Sequence, residues 1–487
     1  MKLRAQILAC LNRHHRIPAA VLGGLSFLAL AAPASAADLI EVYQRAVQND
    51  PQIREADANR LASRESKPQA LAALLPQINA SGSYEHSQSD GSSVFPNTNI
   101  LGEVEILNRD TETEIDTKAY QLQLRQTIFR WDQWQTLKRA DAEVAQAEAD
   151  YQAAQQDLIQ RTAQRYFNVL AAQDTVDAAQ ATLEAFSRQL EQADKRFEVG
   201  LIAITDVQEA RAAHDQAAAG VILAKRQLAT ALELLRELTG ESFSSLSAPI
   251  DDMPLKSPDP ENEETWVTTA LEQNLRIISA RLATDIAKQD VRVARSGHFP
   301  TIDLVAGRSG NDITGDQTIT NPPIGPIPET RQTYPADRDG VDDSIGVQVT
   351  LPIYSGGATS SRVRQRVYLH RAARERLERA NRETERAARD AYLGVMSEMS
   401  RVKALKQALE SSKTALQATE AGFEVGTRTT VDVLDARRRL FEAQTNYSRS
   451  RYDYIINVLN LQLATGTLKQ ADLQEINSYL TERVITR

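Results

Sequence analysis

From Asp132 to Val199 the sequence contains neither glycine nor proline, and within that run Leu137, Ala140, Val144, Ala147, Tyr151, Ala154 and Leu158 step alternately by three and four residues. Leu183, Phe186, Leu190, Ala193 and Phe197 resume the step. Val402, Leu405, Leu409, Ser412, Leu416, Thr419 and Phe423 follow it again far downstream, two of them polar. A seven-residue repeat sustained this far predicts long helices packed as a left-handed coiled coil. At 1.5 Å per residue such a helix is roughly 100 Å long, a rod that reaches far from any membrane. Alanine-rich seams let its neighbours approach closely.

The chain also reads as one unit written twice. Sliding it on itself by 224 to 226 residues sets Ala46, Val47, Ile53 and Ala56 on Ala270, Leu271, Ile277 and Ala280, and Pro76 on Pro300. Phe197-Glu198-Val199-Gly200 recurs as Phe423-Glu424-Val425-Gly426, Ala210-Arg211 as Ala436-Arg437, and Thr239-Gly240 as Thr465-Gly466. The spacing divides the chain into a first copy over 37–240, a polar linker over 241–263, a second copy over 264–466 and a short tail over 467–487. Gly200 and Gly426 end the long helices, since glycine best takes the left-handed C-terminal turn. Return helices begin near 205 and 431, so the tips of two helical hairpins fall near 200–206 and 426–432.

Each copy opens with a helix and carries two strands before its long helix. Tyr120, Leu122, Leu124 and Ile128 are apolar, with Gln121, Gln123, Arg125 and Thr127 between them, and Ile345, Val347, Val349 and Leu351 repeat the pattern. Ile78–Tyr84 and Ile302–Ala306 supply weaker versions, so strands are expected around 78–130 and 301–354. The Gly, Pro, Asn, Asp and Thr of 85–117 and 307–343 read as long outer loops between paired strands. Period two with one apolar face suits a barrel between lipid and water, and equally a half-buried soluble sheet. Four strands per chain cannot close a barrel, because the smallest have about 8. Strands facing lipid therefore require oligomerisation, and three copies give twelve. Beyond the start of the chain no run approaches the ~18 to 20 apolar residues of a membrane-spanning helix.

Lys2, Arg4, Arg13 and Arg16, the apolar run Ala19–Ala32 and Ala34-Ser35-Ala36 form a secretory signal over 1–36, with cleavage after Ala36. Cys10, the single cysteine, leaves with it, so no disulfide holds the exported chain. Removing four basic residues from 56 against 65 acidic ones leaves a mature charge of −13, which does not suit nucleic acid. His86, in a loop, His214 and His370, on helices, and His298, before a strand, are scattered, with no HExxH, Cys pair or glycine-rich phosphate loop. No catalytic residue, metal or cofactor is expected. A periplasmic coiled-coil adaptor or scaffold is the rival reading. An adaptor would carry compact β modules at the base of its hairpin, whereas paired amphipathic strands and duplication favour a channel.

The segments Arg196–Gln208 and Val425–Ala436 resemble the two hairpin tips of the TolC family of outer-membrane efflux and secretion channels. Ser296–Leu304 and Leu351–Gly357 resemble that family's second-copy strand borders. The resemblance covers nearly the whole exported chain. It implies an α+β membrane protein, a homotrimer whose twelve-stranded β-barrel in the outer membrane of a Gram-negative bacterium continues into a long periplasmic helical barrel. It also implies docking to a periplasmic adaptor (membrane fusion) protein and an inner-membrane pump of RND or ABC type.

By the same resemblance Asp432 and Asp435 match a pair lining the closed periplasmic aperture, a cation-attracting ring; by position alone they would only offset a helix macrodipole. Arg428 matches a residue that ties its tip to a neighbouring one through Thr205 and Asp206, and Gln189 and Glu420 match a second link. Phe423 departs from the family's pattern, since a well-known member carries tyrosine there, and phenylalanine lacks the hydroxyl that would bond at the Asp206 position. Trp131, Trp134 and Tyr354 sit where strands pass into long helices. They fit an aromatic belt at the membrane interface or burial in the strand-to-helix joint.

Overall fold

The computed structural model describes residues 36–98, 102–250, 253–324 and 327–484; the expected signal segment, apart from Ala36, lies outside the described residues. In chain order the elements are α1 (Leu39–Asn49), α2 (Pro51–Arg64), α3 (Ser66–Ala72), β1 (Gln77–Thr98), β2 (Val104–Phe129), α4 (Trp131–Glu198), α5 (Ile204–Thr239) and β3 (Ser245–Pro249). They continue as α6 (Glu263–Gln273), α7 (Leu275–Ser296), β4 (Thr301–Asn321), β5 (Thr330–Pro335), β6 (Arg338–Thr350), α8 (Ala358–Glu424), α9 (Thr430–Thr465), α10 (Gln470–Asn477) and β7 (Leu480–Val484).

Helix α4 has 68 residues and α8 has 67, so each extends roughly 100 Å. Their three-four stepping selects the packed side. On α8, Val402 and Leu409 are buried, and Leu405, Ser412, Leu416, Thr419 and Phe423 are half-buried. Each long helix folds back on its partner, α4 on α5 and α8 on α9, and the two hairpins join chiefly through α4 and α9. That joint is the core. The rings of Phe167 and Tyr452 stack at 5.8 Å, and the Tyr452 hydroxyl donates to Asp174 at 2.8 Å. Leu39, Val42, Tyr166, Leu170, Leu235 and Leu459 are fully or almost fully buried around them.

The return helices end alike. Thr239 and Thr465 donate their hydroxyls four residues back to Leu235 and Leu461, and Gly240 and Gly466 follow at φ +75° and +77°. The surroundings differ. A Cβ on Gly466 would lie 2.5 Å from the Gln273 carbonyl oxygen, whereas one on Gly240 meets nothing nearer than the Asn49 side chain at 3.5 Å. Gly240→Ala is expected to cost about 1–2 kcal/mol for the left-handed backbone alone. Gly466→Ala adds a backbone clash and should lower the denaturation midpoint of the detergent-solubilised protein distinctly further. Equal midpoints would contradict the packing seen at Gly466.

The strands correct the expected outer loops. Segments 85–98 and 104–117 continue β1 and β2 in unbroken antiparallel register, from Gln77 opposite Arg125 to Thr98 opposite Val104. Most of 307–343 is likewise strand in β4, β5 and β6. The reason lies in composition: Thr, Ser and charged residues support a ladder solvated on both sides, which lacks the apolar alternation that marks a half-buried strand. His86, expected in a loop, therefore lies within β1, with its Nδ1 3.0 Å from Asp116. The linker and the tail are also more ordered than their polarity suggested, because β3 and β7 pair with each other as a small second sheet.

The large sheet runs β1-β2-β4, with β5 pairing the outer part of β4 and β6 its inner part. On one face Ile78, Leu124, Ala306 and Ile345 align across the four strands β1, β2, β4 and β6. That face is open: Ile78, Leu122, Ile345 and Val347 are 65%, 46%, 80% and 61% exposed. The opposite face is polar and holds Arg125 paired with Asp303, to which Thr127 also donates. No helix among the described residues is long and apolar enough to cross a membrane.

Candidate aperture at the helical tips

Gly200 and Gly426 stand just past the long helices at φ +76° and +77°, the conformation that turns each hairpin. The following helix α9 begins with a capping box. The Thr429 backbone N–H and hydroxyl both donate to Asp432 Oδ2 at 2.9 Å, and the Asp432 N–H donates back to Thr429 Oγ1 at 3.2 Å. The bonds from the Thr429 N–H and hydroxyl, with the nearby Arg428 charge, hold the Asp432 carboxyl below its ordinary range. Asp435, one turn on, accepts from Arg438 at 2.5 Å. Both carboxylates are half-buried, and within one chain both already have partners.

Arg428 is exposed, and its side chain lies across Gly422, where an added Cβ would come 2.8 Å from Arg428 Cγ. Its backbone N–H donates to the Gly422 carbonyl at 3.2 Å. Thr205 is exposed and Asp206 half-buried on the other tip, and no bond joins them to Arg428 within the chain. Gln189 is buried on α4. Glu420 is not bonded to it; its carboxylate accepts from Arg437 Nε at 3.1 Å and Nη2 at 2.7 Å. Phe423 lies under the Arg196 guanidinium, 4.9 Å from the ring centroid. A cation–π contact between the two hairpins thus stands where a tyrosine would offer a hydroxyl.

Sequence reasoning overlooked Arg437 and Arg438. Besides binding Glu420, Arg437 donates to the Ala185 carbonyl of α4 at 3.5 Å, so it bridges the second hairpin to the first. The first copy holds a looser counterpart, Arg211 at 3.9 Å from Asp194. The signal was present in the repeat of Ala210-Arg211 as Ala436-Arg437, which had served only to set the register.

At the other end of the helices Trp131 and Trp134 are 39% and 49% exposed and Tyr354 is 88% exposed, so the joint does not bury them within the chain. Trp131 meets Phe299 edge to face at 6.4 Å.

The family model described as outer membrane efflux protein matches residues 42–241 and again 266–467. Outer membrane protein TolC of Vibrio cholerae is 36% identical over 91% of this chain and 94% of its own length. The alkaline protease secretion protein AprF of Pseudomonas aeruginosa is 27% identical, over 93% of this chain and 89% of its own. Among solved structures, the CmeC outer membrane channel of Campylobacter jejuni superimposes with a TM-score of 0.68 at 19% identity, over 96% of this chain and 97% of that one. Two matched copies, extensive identity and a shared fold lead to one assignment: the chain belongs to the outer membrane efflux protein family, as an exit channel of the outer membrane.

Proposed function

We propose that three copies of this chain close into one tube that carries solutes and proteins from inner-membrane pumps to the exterior. The sheet carries the argument. β1 and β6 lie at its two edges, and the four crossings alternate in direction, so β6 of one copy and β1 of the next would meet antiparallel. In lipid an unpaired strand edge costs several kcal/mol for each lost backbone bond. Closure by twelve strands removes every edge and turns the apolar face outward, leaving the Arg125–Asp303 face to line the lumen. The two family matches support an internal duplication, with each copy supplying two strands and one long hairpin.

In this reading Asp432 and Asp435 from three chains form a ring of carboxylates at the periplasmic mouth. Arg428 reaches the Thr205–Asp206 tip of a neighbouring chain, and Gln189 and Glu420 contribute a second contact. The helical tips dock a periplasmic adaptor and, through it, an inner-membrane pump of RND or ABC type. The family description, outer membrane efflux protein, and a relative named alkaline protease secretion protein support both efflux and protein secretion as duties.

Crosslinking tests the closure. Cysteines placed singly on β1 and β6 at facing levels, in a chain whose mature part has none of its own, should join neighbouring copies and yield covalent trimers in outer-membrane fractions. A stable monomer with native strand content, and no crosslink at any register, would end the closed-barrel reading.

A further inference from the structure

We propose that the membrane-proximal ends of the helices form a basic collar that binds the phosphates of anionic phospholipids in the periplasmic leaflet. The proposal goes beyond the channel reading and rests only on the outer-membrane location. The exported chain is acidic overall, yet the helix ends beneath the sheet are not. Segments 65–76, 130–141, 288–298 and 355–368 together carry ten basic and four acidic residues, a surplus of six per chain. Three of those acids are engaged. Asp132 pairs with Arg130 at 3.3 Å, Asp141 with Lys67 at 2.8 Å, and Asp290 with both Arg139 and Arg366. Lys138 and Arg295 are exposed and form no ion pair among the described residues, and Arg292 donates only to Gln289.

Position on the helices gives these cations a direction. Phe129 pairs with Ile302 on the apolar face of the sheet, Trp131 follows two residues later, and its ring meets Phe299. On α4, Trp131, Trp134 and Lys138 step by three and four residues down one face. On α7 and the turn after it, Arg292, Arg295 and Phe299 step in the same way along an exposed stripe. Both helices therefore put aromatic rings at the level where the apolar face ends and cations one to two turns below, roughly 6–10 Å at 1.5 Å per residue. Aromatic rings favour the headgroup zone, and long basic side chains reach up toward it. A phosphate at that level would be within about one Debye length of the cations.

The test uses the full-length trimer, purified in detergent and supplied with phosphatidylglycerol and phosphatidylethanolamine, with bound lipid counted by native mass spectrometry. The wild type should retain phosphatidylglycerol preferentially. Lys138→Gln/Arg292→Gln/Arg295→Gln should lose about tenfold or more of that retention. Arg374→Gln/Arg376→Gln, several turns farther from the membrane, should keep it. Equal retention by the triple variant and the wild type, or no preference in the wild type, overturns the proposal. So does a triple variant whose ion selectivity changes while its lipid retention does not, since the collar would then face the lumen. Retention counted per chain decides the matter even if the protein runs as a monomer, an outcome that would instead remove the trimer reading.

Discussion

Proline at Leu183 should leave almost no assembled channel. Leu183 lies within the 68 residues of α4, one turn before the buried Phe186. A proline there removes the hydrogen bond to the preceding turn and clashes with it, at about 3 kcal/mol or more per chain. The damage extends beyond the kink. Ala185, whose carbonyl accepts from Arg437, lies two residues on, so bending α4 at 183 also withdraws the contact that joins the hairpins near their tips. Three chains of an assembly would carry the defect at once. The control is Glu261→Pro, in exposed irregular chain just before α6, which should be tolerated. Outer-membrane trimer on unheated gels and efflux of a fluorescent dye provide the readouts. Wild-type trimer from Leu183→Pro would mean that a continuous α4 is not what holds the rod.

The helices were legible because their packing is written in one dimension: glycine and proline are missing, and the seam repeats over distances that chance does not supply. The hairpin tips were legible for a related reason, since Gly200 and Gly426 mark the only turns available between very long helical runs. The outer strands were not. Residues such as Glu85, Glu114 and Lys118 are exposed on a ladder held chiefly by backbone bonds, and neither propensity nor periodicity distinguishes such a ladder from a polar loop. Linker and tail were missed because β3 and β7 pair across more than two hundred residues, a contact that no local pattern encodes. Around the aperture, the family resemblance pointed to Asp432 and Asp435 but not to their partners. Thr429 and Arg438 lie three residues from them, close enough in sequence to have been considered as cap and counter-ion.

Those partners sharpen the expected behaviour of the aperture. Asp432→Asn/Asp435→Asn removes two charges from each chain while keeping an oxygen acceptor for the Thr429 cap. If six carboxylates ring the mouth, the cation-to-anion permeability ratio in planar bilayers should fall several-fold, toward unity, and block by multivalent cations should weaken. Trimer yield should stay near wild type. Arg438→Gln should act in the opposite direction, because it frees Asp435 from its ion pair and raises the effective charge of the ring. The pH profile follows from the depressed Asp432 pKa. Its charge and its cap contribution are fully present above the ordinary carboxylate value, about 3.9, and are lost only as pH falls through the lower folded value. The part of the cation preference that Asp432 carries should therefore persist through mildly acidic solution. A cap-only role makes a different prediction: Asp432→Ala would loosen the start of α9, and the Asn pair would leave selectivity unchanged. Unchanged selectivity in a well-assembled Asn variant would reduce these aspartates to helix-capping residues and move the search for the constriction elsewhere on the tips.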